Sequence, residues 1–390
     1  MTDTMISFHK KRLPRLIVSD LDGTLLTPQH TISRRSIDAL AFAQGFYHGN
    51  NNNNNNDDHH LPIQIMIASG RSPRSIQKVI DLFDGLMIPD AVLCCNGALN
   101  YNPRTKAISY PQFIPLDQAL FMVQGLRTEI SGHGTIKSQI PINKNQIQQD
   151  SIMEEDLIPL NVLDGQRNDN DGDDDPLIAG RPGFACEVIW FEGVLPSGEP
   201  IYAQDTSFVC DKTWELQRKH TFYYDYSVVD DTMEAFLQSL QQAAAVDGRT
   251  GRSGGIIKLL ALDRNRTAPE VFESLPVTLR SASTSSTTSE TKETRSSPME
   301  VTYSGDYFLE IAAPRVSKGL GLAKYCGAHN ISREEVVAFG DLLNDAEMLQ
   351  FAGLGLCMGN GHEDMKKLAD RVIGTNAEDG LAKEIESWFM

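Results

Sequence analysis

Residues 16–26 read Leu-Ile-Val-Ser-Asp-Leu-Asp-Gly-Thr-Leu-Leu. A short apolar strand, Leu16–Val18, runs straight into two carboxylates, Asp20 and Asp22, and Gly23 permits a sharp turn that presents them. In open parallel sheets, ligands bind beyond the carboxyl ends of the strands. Two acids one residue apart at such an end can serve one reacting centre, one as nucleophile toward phosphorus and the other as proton donor to a leaving oxygen. The same residues also suit a plain acidic turn, so the reading depends on what accompanies them.

Working outward, strands and helices alternate. A helix is expected from Ser33, with Ile37, Leu40 and Ala41 on one face. Ile63–Ala68 reads as a buried strand. Ser72 and Pro73 then open a helix carrying Ile76, Val79, Ile80 and Phe83, and Ala91–Leu93 is the next strand. The rhythm returns near the C-terminus. Helices are expected from Ser317, Asn344, His362 and Glu378, and strands over Val336–Phe339, Leu354–Met358 and Arg371–Ile373. Such alternation predicts an α/β fold, a doubly wound, Rossmann-like parallel sheet with helices on both faces. The middle of the chain differs. Strand-like runs at Cys186–Phe191, Thr221–Tyr226, Ile256–Leu262, Val301–Tyr303 and Phe308–Ile311 mix with a helix over Thr232–Ala243. This predicts an inserted α+β domain over 99–312, which splits the core into 1–98 and 313–390.

With 390 residues, 41% of them hydrophobic, the chain can fill two cores. The net charge of −17 argues against a nucleic-acid partner, and any anionic substrate must be held by a few local cations. No apolar run approaches the ~20 residues that cross a bilayer, so no membrane partner is expected. Lys10, Lys11 and Arg12 precede no apolar stretch of secretory type, which leaves little room for a cleaved leader. Six cysteines without a CxxC pair, with Cys94 and Cys95 adjacent, suit reduced thiols and a cytoplasmic location.

Three stretches read as solvated insertions: Asn50–Asn56 with the acids and histidines after it, 164–176, and 278–297, where 13 of 20 residues are Ser or Thr. His59 and His60 read as solvated side chains. The acidic run fails as a calcium loop, because aligning Gly172 to the glycine of such a loop puts Arg167 and Ile178 where carboxylates belong.

Three further segments join the first. Ile67-Ala68-Ser69-Gly70-Arg71 offers a hydroxyl and the N–H groups of a glycine turn, a neutral cradle for phosphate. Lys318 opens a helix, beside the positive end of its dipole, where a lysine wants a positional reason such as a phosphate oxygen. Gly340-Asp341-Leu342-Leu343-Asn344-Asp345 places hard oxygen ligands past a strand end, which suits Mg²⁺.

Taken together and in this order, the segments resemble the haloacid dehalogenase-like (HAD) superfamily, in its Cof-type phosphatase branch with a large α/β (C2B-type) cap. The resemblance rests on SDLDGTLL at 19–26, IASGR at 67–71, CNGA at 95–98, LEIAAPRVSKG at 309–319, AFGDLLNDAEML at 338–349, MGN at 358–360 and NAEDG at 376–380, with IIKLLALD at 256–263 in the cap. It implies a phosphatase working through an aspartyl-phosphate. Asp20 would be nucleophile and Mg²⁺ ligand, Asp22 the acid/base and a ligand through its carbonyl, and Asp341 the third protein ligand. The Leu21 backbone, Ser69 and Gly70 would hold phosphoryl oxygens, and Lys318 would neutralise them. Asn344, counted with the phosphate-binding group, and Asp345 would order the metal waters or Lys318; Arg71 and Asn96 would face the cap hinge. Ser69 stands where Thr is more usual, and Gly361 where Ala is common. A small phosphorylated metabolite is the expected substrate, such as a sugar or cofactor-precursor phosphate. A sugar phosphomutase of the same superfamily and an inactive binding module are the alternatives; Asp22 counts against a dehalogenase.

Overall fold

The computed structural model describes residues 13–49, 63–132, 181–198, 200–204, 206–218, 226–229, 232–245, 254–263, 265–276, 278–279, 299–303 and 307–389. The first twelve residues, the asparagine run with His59 and His60, the acidic run at 164–176, residues 280–297 and residues 221–225 lie outside them.

In chain order the elements are β1 (Leu16–Asp20), α1 (Arg34–Gly49), β2 (Gln64–Ala68), α2 (Pro73–Asp81), β3 (Ala91–Cys94), β4 (Leu99–Tyr101), β5 (Ile108–Ser109) and α3 (Leu116–Gly132). There follow β6 (Gly183–Val194), β7 (Pro200–Tyr202), β8 (Ser207–Cys210), α4 (Lys212–Arg218), β9 (Tyr226–Val228), α5 (Met233–Ala245), β10 (Gly254–Leu262), α6 (Ala268–Ser274), β11 (Glu300–Thr302) and β12 (Leu309–Ala312). The chain ends with α7 (Lys318–Ala328), β13 (Val336–Gly340), α8 (Ala346–Phe351), β14 (Leu354–Cys357), α9 (Glu363–Leu368), β15 (Arg371–Val372) and α10 (Gly380–Ser387).

Two compact units emerge. One comprises Met1–Arg71, Ile76–Ala107 and Ser317–Met390, the other Ser72–Ser75 and Ile108–Val316. The division falls at 107/108, beyond the 98/99 read from the sequence, because β4 folds back antiparallel on β3. It falls at 316/317 on the return, where Ser317 caps α7 by accepting from the Leu320 N–H at 3.1 Å.

The first sheet runs β15-β14-β13-β1-β2-β3-β4-β5, and β15 through β3 are parallel. Every residue of β1 is buried, as expected for a strand covered on both faces. Leu16, Val18, Met66, Ala68, Leu93 and Ala338 pack on one face against Leu322, Tyr325, Met348 and Leu349. From β1 the order proceeds outward to β2 and β3 on one side and to β13, β14 and β15 on the other. The direction therefore switches between β1 and β13, and a crevice at the carboxyl ends of those two strands is where such sheets bind ligands.

The second unit holds a sheet ordered β11-β12-β10-β6-β8-β9, with β7 paired to β6. Its pairings are antiparallel except β8 with β9. Helices α3 and α5 pack together and against β10. No helix among the described residues is long and apolar enough to cross a membrane.

Candidate active site

β1 ends at Asp20, and the chain leaves it in a wide turn, Leu21–Leu25, closed by the Leu26 N–H on the Leu21 carbonyl at 2.8 Å. Asp22 interrupts the helical path at φ −85°, ψ 119°, and Gly23 follows in the left-handed region at φ 83°. Glycine is required there twice over, since a Cβ would also lie 2.2 Å from Asp341 Oδ2. The turn thus brings the end of β13 against the end of β1.

Four charged side chains meet in that crevice, each at most 5% exposed: Asp20, Lys318, Asp341 and Asp345. Lys318 Nζ donates to Asp20 Oδ1 at 2.5 Å and to Asp345 Oδ1 at 2.7 Å. Asp345 Oδ2 accepts the N–H groups of Asp341 (3.0 Å) and Leu342 (3.2 Å). Both Asp345 oxygens are therefore engaged by donors of the chain, and the residue bridges Lys318 to the loop after β13. Thr24 Oγ1 donates to Asp341 Oδ1 at 3.1 Å. The lysine is aimed by a second turn. Cys95, Asn96 and Gly97 take φ values of 51°, 55° and 89°, and a Cβ on Gly97 would stand 2.3 Å from the Ser317 carbonyl. Glycine there lets the turn press on the residue before Lys318. A surface lysine is excluded.

Electrostatics follow from the count of charges. Three carboxyls around one ammonium would, if all were ionised, leave a buried excess of two negative charges, and burial penalises each of them. Burial, then the neighbouring carboxylates, push Asp20 up to about 7 and Asp341 up to about 9. For Lys318 burial opposes the charge, yet Asp20 and Asp345 prevail and hold its pKa above the usual lysine range. Carboxylate oxygens of Asp20, Asp341 and Asp345 lie within 4.8 Å of one another. Hard oxygen donors, close spacing and an excess charge of two fit a small divalent cation such as Mg²⁺. Because the Asp345 oxygens are taken, Asp20 and Asp341 are the carboxylates that could hold it.

Ser69 and Gly70 follow β2, in register beside Asp20 through the Asp20–Ala68 pairing. Ser69 Oγ accepts the Arg71 N–H at 3.1 Å, and its carbonyl accepts the Asn96 N–H at 2.9 Å. Arg71, read from the sequence as facing a hinge, is the last residue before the chain passes to Ser72 of the second unit, and it forks onto Asp22, with Nε to Oδ2 at 3.1 Å and Nη2 to Oδ1 at 2.6 Å. Leu21 is buried directly after Asp20. Asn344 is exposed, and its Nδ2 donates to Asn96 Oδ1 at 3.5 Å. Sequence reasoning did not single out Thr24, the Ser317 hydroxyl that donates to Glu347, or the side-chain contacts of Asn360 and Asn376. The NAEDG and MGN segments were visible as motifs, but not what their asparagines touch.

A fold with its ligand crevice at the β1/β13 switch, lined by paired carboxylates and a buried lysine, defines an enzyme of phosphoryl or related group transfer. The family model for haloacid dehalogenase-like hydrolases matches residues 17–136 and 220–385, and the chain belongs to that family. It is 24% identical to the pyridoxal phosphate phosphatase YbhA of Escherichia coli, over 96% of this chain and 98% of that protein. A stronger but shorter likeness, 42% over 83 residues, links it to the 5-amino-6-(5-phospho-D-ribitylamino)uracil phosphatase YitU of Bacillus subtilis, covering 21% of this chain and 31% of that protein. Among solved structures, a phosphatase of the HAD superfamily from Bacteroides thetaiotaomicron aligns over 100% of this chain and 99% of its own, at a TM-score of 0.55 and 18% identity, which is a likeness of fold.

Proposed function

We propose that the chain is a Mg²⁺-dependent phosphatase that hydrolyses small phosphomonoesters through an aspartyl-phosphate on Asp20. The observation that carries this reading is the buried contact of Lys318 with Asp20 and Asp345, set beside Asp341 at the sheet's switch point. Asp20 Oδ attacks phosphorus in line with the leaving oxygen, and the P–O bond to that oxygen breaks. Asp22, two residues on, gives the leaving oxygen a proton, and then takes one from the water that cleaves the acyl phosphate. Its fork with Arg71 orients the carboxyl and must loosen for that transfer. Ser69 and the N–H groups after β1 and β2 hold the phosphoryl oxygens, while Lys318 balances charge on Asp20 and on the phosphoryl group. Asp20, Asp341 and the Asp22 carbonyl would hold Mg²⁺, which when bound neutralises phosphoryl oxygens and fixes the group for attack. Positioning and charge neutralisation must supply most of an acceleration that for phosphate monoesters reaches up to ~10²¹.

The substrate class rests on two supports. The named relatives are phosphatases of pyridoxal phosphate and of 5-amino-6-(5-phospho-D-ribitylamino)uracil, and a net charge of −17 disfavours a polyanionic polymer. A cytoplasmic location belongs to the same reading and rests on the cysteine usage. The test is a panel of about fifty phosphorylated metabolites, a phosphopeptide and a 5′-phosphorylated oligonucleotide, ranked by kcat/KM with and without Mg²⁺. Sugar and cofactor-precursor phosphates should lead, several at comparable efficiency. A polymer at the head of that ranking, or turnover unaffected by metal removal, would refute the proposal; phosphoryl transfer between two positions of one sugar without phosphate release would make the enzyme a mutase.

Asp341→Asn supplies a sharper check on the metal. It removes one of two available carboxylates, so the Mg²⁺ concentration for half-maximal rate should rise at least about tenfold. A superimposable metal titration would strike Asp341 from the ligand set.

A further inference from the structure

Two asparagines outside the charged cluster grip the turn that carries Asp22. Asn360 Nδ2 donates to the Gly23 carbonyl at 2.8 Å, and Asn376 Nδ2 donates to the Leu26 carbonyl at 2.8 Å. The two are themselves joined, since the Asn376 N–H donates to Asn360 Oδ1 at 3.0 Å. Those carbonyl and N–H partners fix which end of each amide is nitrogen. The Asn360 segment is anchored in turn to the end of β13. Met358 N–H donates to the Gly340 carbonyl at 3.0 Å, and His362 N–H to the Asp341 carbonyl at 2.8 Å. Asn360 itself is exposed, at the open carboxyl end of β14.

We propose that Asn360 and Asn376 form one clasp that sets the position of Asp22 relative to Asp341, and that both are positioning residues for the reaction. The physical need is local. The turn is broken by non-helical angles at Asp22 and Gly23, so a regular helical pattern cannot supply donors to all its carbonyls. Without the clasp the Gly23 and Leu26 carbonyls turn to water, and the segment is released at the residue that must deliver a proton. Asn360 is the junction, because its segment is bonded both to the turn and to the backbone of Asp341. Its exposed place favours this over a packing role, since an exposed side chain adds little to a core. The catalytic part of the inference rests on the phosphatase reading; the clasp itself does not.

The experiment compares wild type, Asn360→Ala, Asn376→Ala and the double variant in full-length protein. Two readouts are taken, steady-state kinetics on p-nitrophenyl phosphate at saturating Mg²⁺ and amide hydrogen exchange resolved by peptide. Each single variant should lower kcat about 30- to 100-fold with KM within about threefold, the signature of a displaced group rather than lost binding. Exchange over residues 22–27 should quicken at least about fivefold while β13 and α7 keep wild-type protection. The double variant should fall within about threefold of the worse single one, because both asparagines act through the same turn. Singles with wild-type kcat and wild-type exchange would overturn the proposal. So would losses that multiply in the double variant, or exchange that quickens throughout the core, which would mean general stability. Should wild type fail to hydrolyse any phosphomonoester, the phosphatase reading falls, and the exchange comparison still decides the clasp.

Discussion

Asp20→Asn should lower kcat by at least about 10⁴-fold, because an amide is a poor nucleophile and a poor ligand for a hard cation. The fold should survive and gain. Asn keeps an oxygen for Lys318 and removes one of the three carboxylates whose mutual repulsion the cluster bears. Burial, with Asp345 next, holds Asp20 up at about 7 against an ordinary 3.8. A carboxyl raised in this way takes up a proton on folding. Its contribution to stability is whole below a pH of about 4 and is lost as the pH rises through about 7. In metal-free protein at pH 8, Asp20→Asn should therefore melt a few degrees above wild type, and the gap should close as the pH is lowered toward 5. Mg²⁺ should stabilise wild type more than the variant, since it binds the carboxylates of the native cluster. Retention of more than a few per cent of the wild-type rate at matched circular dichroism would sink the covalent role of Asp20. A variant that melts lower than wild type at pH 8 without metal would sink the account of the charge balance.

Much of this arrangement is legible in local sequence because each site segment sits at the end of a strand. Leu16 onward, Ile63 onward and Val336 onward are short apolar runs followed at once by polar residues, and all three become parallel strands that put those residues at one end of one sheet. Helix starts were legible too. The helices expected from Ser317 and His362 open one residue later, at Lys318 and Glu363, and Ser317 and His362 each accept a backbone N–H of the helix they precede. Element ends drift where a side chain overrides the repeat. The helix expected from Asn344 begins instead as a 3₁₀ turn, Leu343–Asp345, and α8 opens at Ala346, because Asp345 bends back to collect the N–H groups of Asp341 and Leu342. What the sequence hid is pairing over long separations. Nothing near Arg71 announces that its fork closes on Asp22, 49 positions away, or that Asn376 reaches Leu26 across 350. Such partners follow from the order in which strands assemble, not from any local period. The charge balance was hidden as well. Lys318 reads locally as a lysine at the wrong end of a helix dipole, and only the converging strand ends supply the two carboxylates that make it favourable.

That same lysine gives the second large effect. Lys318 is 1% exposed and is the cation that touches both Asp20 and Asp345. In Lys318→Met the stem volume is kept, so packing around α7 and α8 need not collapse, but the ammonium is gone and the buried acids Asp20, Asp341 and Asp345 are left without it. Removing one partner of a buried ion pair costs about 3–5 kcal/mol, far above what loss of an exposed pair costs. The melting point should drop by roughly 10 °C at pH 8 in metal-free protein. Turnover should fall below detection in the same variant, since both the charge on the phosphoryl group and the placement of Asp20 depend on that ammonium. Two controls separate charge from packing. Lowering the pH should recover much of the lost stability, because carboxyls in the emptied cluster bind protons more readily. Adding Asp345→Asn to Lys318→Met should recover part of it at pH 8, because the double variant restores the charge excess of the wild-type cluster. If instead Lys318→Met melts with wild type at pH 8, or if the second substitution lowers stability further, the lysine is not the counter-ion on which the buried carboxylates depend, and the site's charge must be balanced from elsewhere.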